Sequence, residues 1–335
     1  MEETKGPLPS LDSPVRRRFL GSALRYGLGL TALWTLGLSL SDWIGPTGAH
    51  DRSKSLSGPF DWSVPNAPKA VAVVTGSHRA ACFAEAMKAL GGMPRFIASG
   101  DRVFVKVNAA FASPPSLGAT SHPELVEAVV RHCVDAGAAQ VVVSDNPIND
   151  PASCFRLTGI ADAVRRAGAK VWFPESRHFQ PVTLPDGQYL HQWPSWTAPF
   201  LLADKVINLA PVKHHHRAGA SMICKNWYGL LGGPRNLFHQ HVHEVIGELA
   251  ALFRPTLAVL DGITTMMTNG PTGGSLADLK ETQTLIVSPD PVAADALGAS
   301  LLNIDPHKLP YLQHAQRLGA GTLNLEAVAI HRATL

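Results

Sequence analysis

From residue 70 onward the chain alternates short β-branched runs with amphipathic stretches. The runs are 70–75 (AVAVVT), 102–107 (RVFVKV), 140–144 (QVVVS), 170–173 (KVWF), 205–209 (KVINL), 256–260 (TLAVL) and 284–288 (TLIVS). Several are apolar at successive rather than alternate positions, as strands covered on both faces are. Between them, Pro123 to Ala136 carries apolar side chains at 125, 126, 129, 130 and 133. That i, i+3/i+4 spacing is one buried helical face. Ser121 suits the N-cap, Pro123 and Glu124 the first turn, and Gly137 the end. Val242 to Phe253 and Pro291 to Leu302 behave similarly. The pattern predicts an α/β fold, a largely parallel or mixed sheet flanked by helices, with length enough for two lobes. Residues 174–200 hold Pro174, Pro181, Pro185, Pro194 and Pro199 with Trp193 and Trp196. They read as an irregular excursion, a lid or lobe junction.

The first 69 residues follow a different rule. Residues 14–41 set a basic cluster before a Gly-, Ala- and Leu-rich stretch, the layout of an export signal. Arg16-Arg17-Arg18-Phe19-Leu20 fits the twin-arginine pattern R-R-x-F-L, a receptor-read address for folded cargo. Tyr26 to Ser41 gives 16 uncharged residues, short of the ~20 that span a bilayer. Residues 1–45 are therefore a signal, cleaved near Thr47-Gly48-Ala49, or a marginal membrane anchor. Either way the body is expected outside the cytoplasm, with the export machinery as a partner and membrane association as an option. Residues 46–69 read as a linker, and 70–335 as one α/β domain.

Charge narrows the partners. Lys+Arg 29 against Asp+Glu 26 leaves a formal +3, and Arg16, Arg17, Arg18 and Arg25 alone supply four positive charges. The body is close to neutral and lacks the basic stripe of a nucleic-acid protein. Cys82, Cys133, Cys154 and Cys224 form no C-x-x-C pair, so zinc-ribbon, thioredoxin-like and iron–sulfur arrangements are disfavoured. They read as small buried hydrophobes, with disulfides left open by the spacing.

In doubly wound sheets ligands sit beyond the carboxyl ends of the strands. There the chain places Lys106 and Asn108, Asp145 and Asn146, Lys213-His214-His215-His216, and Asp261. Capping would account for Asp145 and Asp261. It accounts poorly for Lys106 and Lys213, because a lysine beside the core is costly unless paired. Residues 211–243 add Lys225, Arg217, Arg235, the glycine-rich run 229–233 and six histidines. Imidazoles suit a metal or acid–base work near neutrality. Successive rings of 214–216 diverge, so a distant pair such as His215 and His241 is the better metal candidate. The glycine-rich backbone near Lys225 could cradle an anion or form a turn. Asn269-Gly270-Pro271-Thr272-Gly273-Gly274 is a second flexible loop, long enough to close over a ligand. Asp290 suits a helix cap, and Asp295 lies one turn further in.

These motifs resemble the DUF362 family of uncharacterised proteins: V-K-V-N (105–108), T-S-H-P-E-L (120–125), K-H-H (213–215), K-N-W-Y-G (225–229), D-G-I (261–263), N-G-P-T-G-G (269–274) and S-P-D-P-V-A-A-D (288–295). Lys106, Asn108, Lys213, Asn226, Asp261, Asn269 and Gly270, at the strand ends or in these motifs, are the candidate cofactor-binding residues. The ferredoxin-like cysteines of some relatives are missing from this sequence, so no iron–sulfur cluster is expected. The order His215, Lys225, His241 is also similar to the catalytic segment of the nickel-pincer lactate racemase family. That similarity implies a lactate-racemase-like fold, acid–base roles for His122 and His215, a cofactor-holding Lys225, and His241 as a metal ligand; it does not by itself imply a shared cofactor. Two readings follow. One is an exported enzyme, isomerase or oxidoreductase, with a metal or nucleotide-like cofactor and a small anionic substrate. The other is a non-catalytic metal- or cofactor-binding assembly factor for a cell-envelope complex.

Overall fold

A computed structural model of the chain describes residues 55–335. The signal or anchor expected over 1–45, and the linker up to residue 54, lie outside the described residues. The main sheet has nine strands: β1 (Ala70–Thr75), β2 (Arg102–Lys106), β3 (Gln140–Ser144), β4 (Lys170–Val171), β5 (Lys205–His215), β6 (Gly219–Ser221), β7 (Leu257–Met266), β8 (Leu279–Ser288) and β9 (Ala329–Thr334). Their order is β9-β1-β8-β7-β5-β2-β3-β4, with β6 paired antiparallel to β5. Within that row β8 alone opposes its neighbours, so the sheet is mixed but largely parallel.

Alternation along each strand divides the apolar residues between two faces. Val71 and Val73 of β1, Phe104 of β2, and Ala258 and Leu260 of β7 enter one core. Ala70, Ala72 and Val74, Val103 and Val105, and Leu257 and Val259 enter the other. Successive apolar positions are thus the signature of a sheet clothed on both sides. The helices are α1 (Arg79–Ala89), α2 (Pro123–Asp135), α3 (Pro151–Leu157), α4 (Ile160–Arg166), α5 (Ala198–Leu201), α6 (Ile223–Asn226), α7 (Val242–Leu252), α8 (Pro291–Leu301) and α9 (Pro310–Arg317). Helices α1, α2 and α4 supply Phe83, Met87, Val126, Val129 and Val164 to the second core. Helices α6 to α9 supply Ile223, Val245, Leu249, Val292 and Leu312 to the first. The length therefore builds one wide sheet with two cores.

Several boundaries differ from the expectations. The cap of α2 is His122, whose Nδ1 accepts from Glu124 N; Ser121 instead accepts from Asn108 N and donates to Leu209 O. Asp290 does cap α8, accepting from Val292 N and Ala293 N. Strand β8 begins earlier than its apolar run, because Asn269-Gly270 belongs to the connection of a β7–β8 hairpin. The presumed linker is docked from residue 55 on. Leu56–Ser57 pairs with Val182–Thr183, Phe60–Asp61 pairs with Phe253–Arg254, and the Phe60 ring lies 5.3 Å from Phe200. The presumed excursion is an antiparallel pair, Phe179–Thr183 with Trp193–Trp196, carrying the fully buried Trp196. Aromatic burial outweighs the prolines there. All four cysteines are buried and unpaired.

Helices α7 and α9 cross at Gly247, where an added Cβ would strike His314 Cβ and stand 3.0 Å from Ala315 N. Gly247→Val is expected to lower the unfolding free energy by about 1–3 kcal/mol, read from urea denaturation.

Candidate functional site

Strands β2 and β3 run parallel and end side by side, and the parallel β5 passes Lys106 at Asn208 and runs on to His215, so the residues after β2 and β3 and the far end of β5 share one rim. Its floor is an ion pair. Lys106 Nζ lies 2.7 Å from Asp145 Oδ1, and both side chains are almost wholly buried. The ammonium also donates to Val107 O at 2.7 Å and Asn226 Oδ1 at 3.3 Å. Asp145 accepts from Ala109 N and Asn146 N at 2.7 and 2.8 Å. Asn226 donates to Asn208 Oδ1 at 2.7 Å and accepts from Asn108 Nδ2 at 3.1 Å. Burial draws the Lys106 ammonium below the ordinary lysine range, and the Asp145 charge partly restores it. A buried pair tolerates its desolvation only when the remaining donors and acceptors are satisfied, as they are here.

Above this floor is a cleft of about 160 Å³. Lys213 enters it 1% exposed, held by Asn108 Oδ1 at 3.4 Å, Ala119 O at 2.5 Å, and the Phe111 ring at 5.6 Å. Burial, then the nearby Lys225 charge, lower its pKa to about 7. Half-buried Lys225 extends from α6 over the Tyr228 ring, 4.7 Å from its centroid. Burial, then Arg235, lower its pKa to about 8. Among the described residues neither lysine has a carboxylate within ion-pair distance. Arg235 donates to the carbonyls of Asn146, Pro147, Tyr228 and Leu231, tying two rim loops together.

Three imidazoles line the same cleft in near-parallel planes. His215 lies 5.0 Å from His216 and 6.2 Å from His239, at 10° and 9°. Backbone partners set their tautomers. His215 Nδ1 accepts from Arg217 N and Ala218 N, both 3.2 Å, so the proton sits on Nε2. Burial, then Lys225, hold this ring neutral far below the ordinary histidine range. His239 Nδ1 donates to Asn236 O at 3.1 Å, and His216 Nδ1 donates to Gly270 O at 3.4 Å. In their neutral forms these two rings leave Nε2 as a bare acceptor.

Of the nominated residues, Asn108, Lys213, His215, Lys225 and Asn226 line the cleft, and Lys106 lies beneath it. His122 and Asp261 belong to a separate cluster, where Asp261 pairs with Arg79 at 2.8 Å. There burial, then the Arg79 charge, lower the His122 pKa. Asn269 braces its own loop by donating to Asp278 Oδ1 at 2.6 Å. Gly270 donates to His214 Nδ1 at 3.2 Å, and Pro271 after it lines the cleft.

His241 does not line the cleft. Its ring stacks on Tyr189 at 4.6 Å, with Nδ1 3.0 Å from the hydroxyl. Arg235–His241 is a 3-10 turn, in which residues two apart diverge by about 120°, and His239 takes the inward position. The pairing of His215 with His241 for a metal is therefore not assembled. His215 also presents Nε2–H, which cannot ligate without losing that proton. Among the described residues no group of three or more His, Cys, Asp or Glu is gathered for a metal ion. The residues thus do not fit a pincer nucleotide with nickel: the lysine is in place and the later histidine is elsewhere. Sequence reasoning placed His216 and His239 in the histidine-rich stretch without giving either a role, quoted Tyr228 only within a motif, and missed Phe111. Only the phase of the turn at 235–241 could have pointed to His239.

The glycines serve close packing. A Cβ on Gly229 would fall on Asp145 Oδ1 and 2.7 Å from Lys106 Nζ. Gly229→Ala is expected to break the floor ion pair and cost about 3–5 kcal/mol, measured by chemical denaturation.

A thylakoid-associated protein of Synechocystis sp. is 28% identical over 246 residues, covering 70% of this chain and 73% of its own length. Residues 103–300, spanning the strand ends, the cleft and both rim loops, match the model of a domain of unknown function, DUF362. The chain belongs to the DUF362 family.

Proposed function

We propose that the cleft binds a small organic anion and moves a proton on it, as an enzyme of isomerase or oxidoreductase type. One observation carries this reading: the carboxylate of the cleft, Asp145, is held by Lys106, while Lys213 and Lys225 face the space with no acidic partner among the described residues. An ammonium lowered by its neighbours attracts an anion that restores its charge. Lys225, standing over an aromatic ring and half open, is the anchor for a carboxylate or phosphate. The Nε2–H of His215 is a fixed donor for an oxyanion. Lys213, near 7, and the bare Nε2 of His239 are the two groups suited to take and return a proton at neutral pH. In an oxidoreductase, a cofactor bearing phosphate or carboxylate would take the Lys225 anchor.

The location we propose is extracytoplasmic and membrane-associated. The twin-arginine pattern at Arg16-Arg17 and the thylakoid-associated relative support it. Among the described residues no helix is long and apolar enough to cross a membrane, so attachment would rest on residues 14–41. Arg16→Lys with Arg17→Lys is expected to shift the protein from the envelope to the cytoplasmic fraction; unchanged fractionation would remove this reading.

Calorimetry with inorganic phosphate and oxalate tests the site. Affinity should fall as pH rises beyond about 8, by which point both Lys213 and Lys225 are losing their charge. The folded-state pKa of each lysine is below its unfolded value, so the empty protein should gain stability over the same rise. Lys225→Met should weaken binding at least tenfold, the loss of about one charge-assisted hydrogen bond; equal affinity in both proteins would refute the anchor. Solvent deuterium incorporated into a bound carboxylic acid, and lost in Lys213→Met, would be the sign of turnover. Binding with no turnover across a panel of such acids would favour the binding or assembly factor instead.

A further inference from the structure

Helix α6 turns one residue outward and the next inward. Lys225 reaches the cleft, while Asn226 enters the floor network at 2.7 Å from Asn208 and 3.1 Å from Asn108. The orientation of one four-residue turn thus sets anchor and floor together. That turn is held from behind. Asp295, in the second turn of α8 and wholly buried, accepts from Ile223 N at 2.8 Å through Oδ1 and from Cys224 N at 2.9 Å through Oδ2.

The surroundings of this carboxylate are unusual for a cap. The titratable groups facing it are the Cys224 thiol, the Tyr311 phenol and Asp290 at the start of its own helix, with His243 stacked beyond Tyr311. Among the described residues no cation pairs with it. The Tyr311 hydroxyl is itself buried and has no hydrogen-bond partner among the described residues. A neutral side chain offers one strong acceptor oxygen, whereas the two oxygens of a carboxylate accept the two amides in parallel with equal strength. We infer that Asp295 is the positioning residue of the cleft, and that its ionised form holds the Lys225 turn in the anion-binding orientation. This rests on the anion-binding reading of the cleft.

Burial raises the Asp295 pKa to about 7, against the two amide bonds that lower it. The folded-state pKa lies above the unfolded one, so the ionised form costs folding stability. That cost is present above about 7 and is relieved as pH falls through it. Site order moves the other way: protonation takes one oxygen out of service as an acceptor and loosens the turn. A merely structural cap would lose stability and site order together.

The test compares wild type with Asp295→Asn at pH 5.5 and pH 8, using phosphate calorimetry and hydrogen exchange of residues 223–226 referenced to helix Val242–Leu252. At pH 8 the variant should bind phosphate about tenfold more weakly and protect the turn less, while its melting temperature is equal or higher. At pH 5.5 the two proteins should converge in both readouts. Equal protection at pH 8, or an affinity ratio that does not change with pH, would overturn the assignment. If wild type binds no phosphate at either pH, the anion-site reading falls, and the exchange comparison still decides the role of Asp295. Should Asp295→Asn not fold, wild type suffices: protection of 223–226 relative to the reference helix should drop from pH 8 to pH 5.5, and a constant ratio would refute the inference.

Discussion

The Lys106–Asp145 pair is the constraint from which the rest of the site follows. Two opposite charges at the ends of adjacent parallel strands lie out of water and are nearly neutral as a unit. That arrangement requires Gly229 above them, since a methyl group there would occupy the space of the carboxylate. It requires Asn226 to turn inward, and therefore Lys225 to turn outward. It also occupies the carboxylate that could otherwise have neutralised Lys213. The positive potential of the cleft is thus a by-product of how its floor is satisfied.

Much of the fold was legible because strands buried on both faces leave an unmistakable run of apolar residues. The runs at 70–75, 102–107, 140–144 and 205–209 all became strands of one sheet. Direction was less legible. A run such as 284–288 looks the same in either sense, and the turn at Asn269-Gly270 was read for its flexibility rather than as a hairpin connection. Residues 55–69 and 174–200 misled for another reason. Their prolines and polar residues hide a few aromatics, Phe60, Trp62 and Trp196, whose burial decides the local structure.

For the site, topology was the legible part. Lys106 and Asn108 converge at the end of β2, Lys213 and His215 on the last stretch of the long strand β5 before its turn, and Lys225 and Asn226 on the short helix α6 that follows β6. What spacing could not tell was aim. His241 and His239 differ only in the phase of a 3-10 turn, and Asp261 was claimed by an arginine 182 residues away. Tautomers were equally out of reach, since they depend on which backbone groups meet Nδ1.

The pairing of Ala70–Thr75 with Ala329–Thr334 has a consequence in time. Two neighbouring strands are separated by nearly the whole body of the chain, so this edge can close only after residue 334 has been made. Contacts so distant along the sequence slow folding, because a long loop must be closed before they form. Until then the outer edge of β1 has no strand beside it.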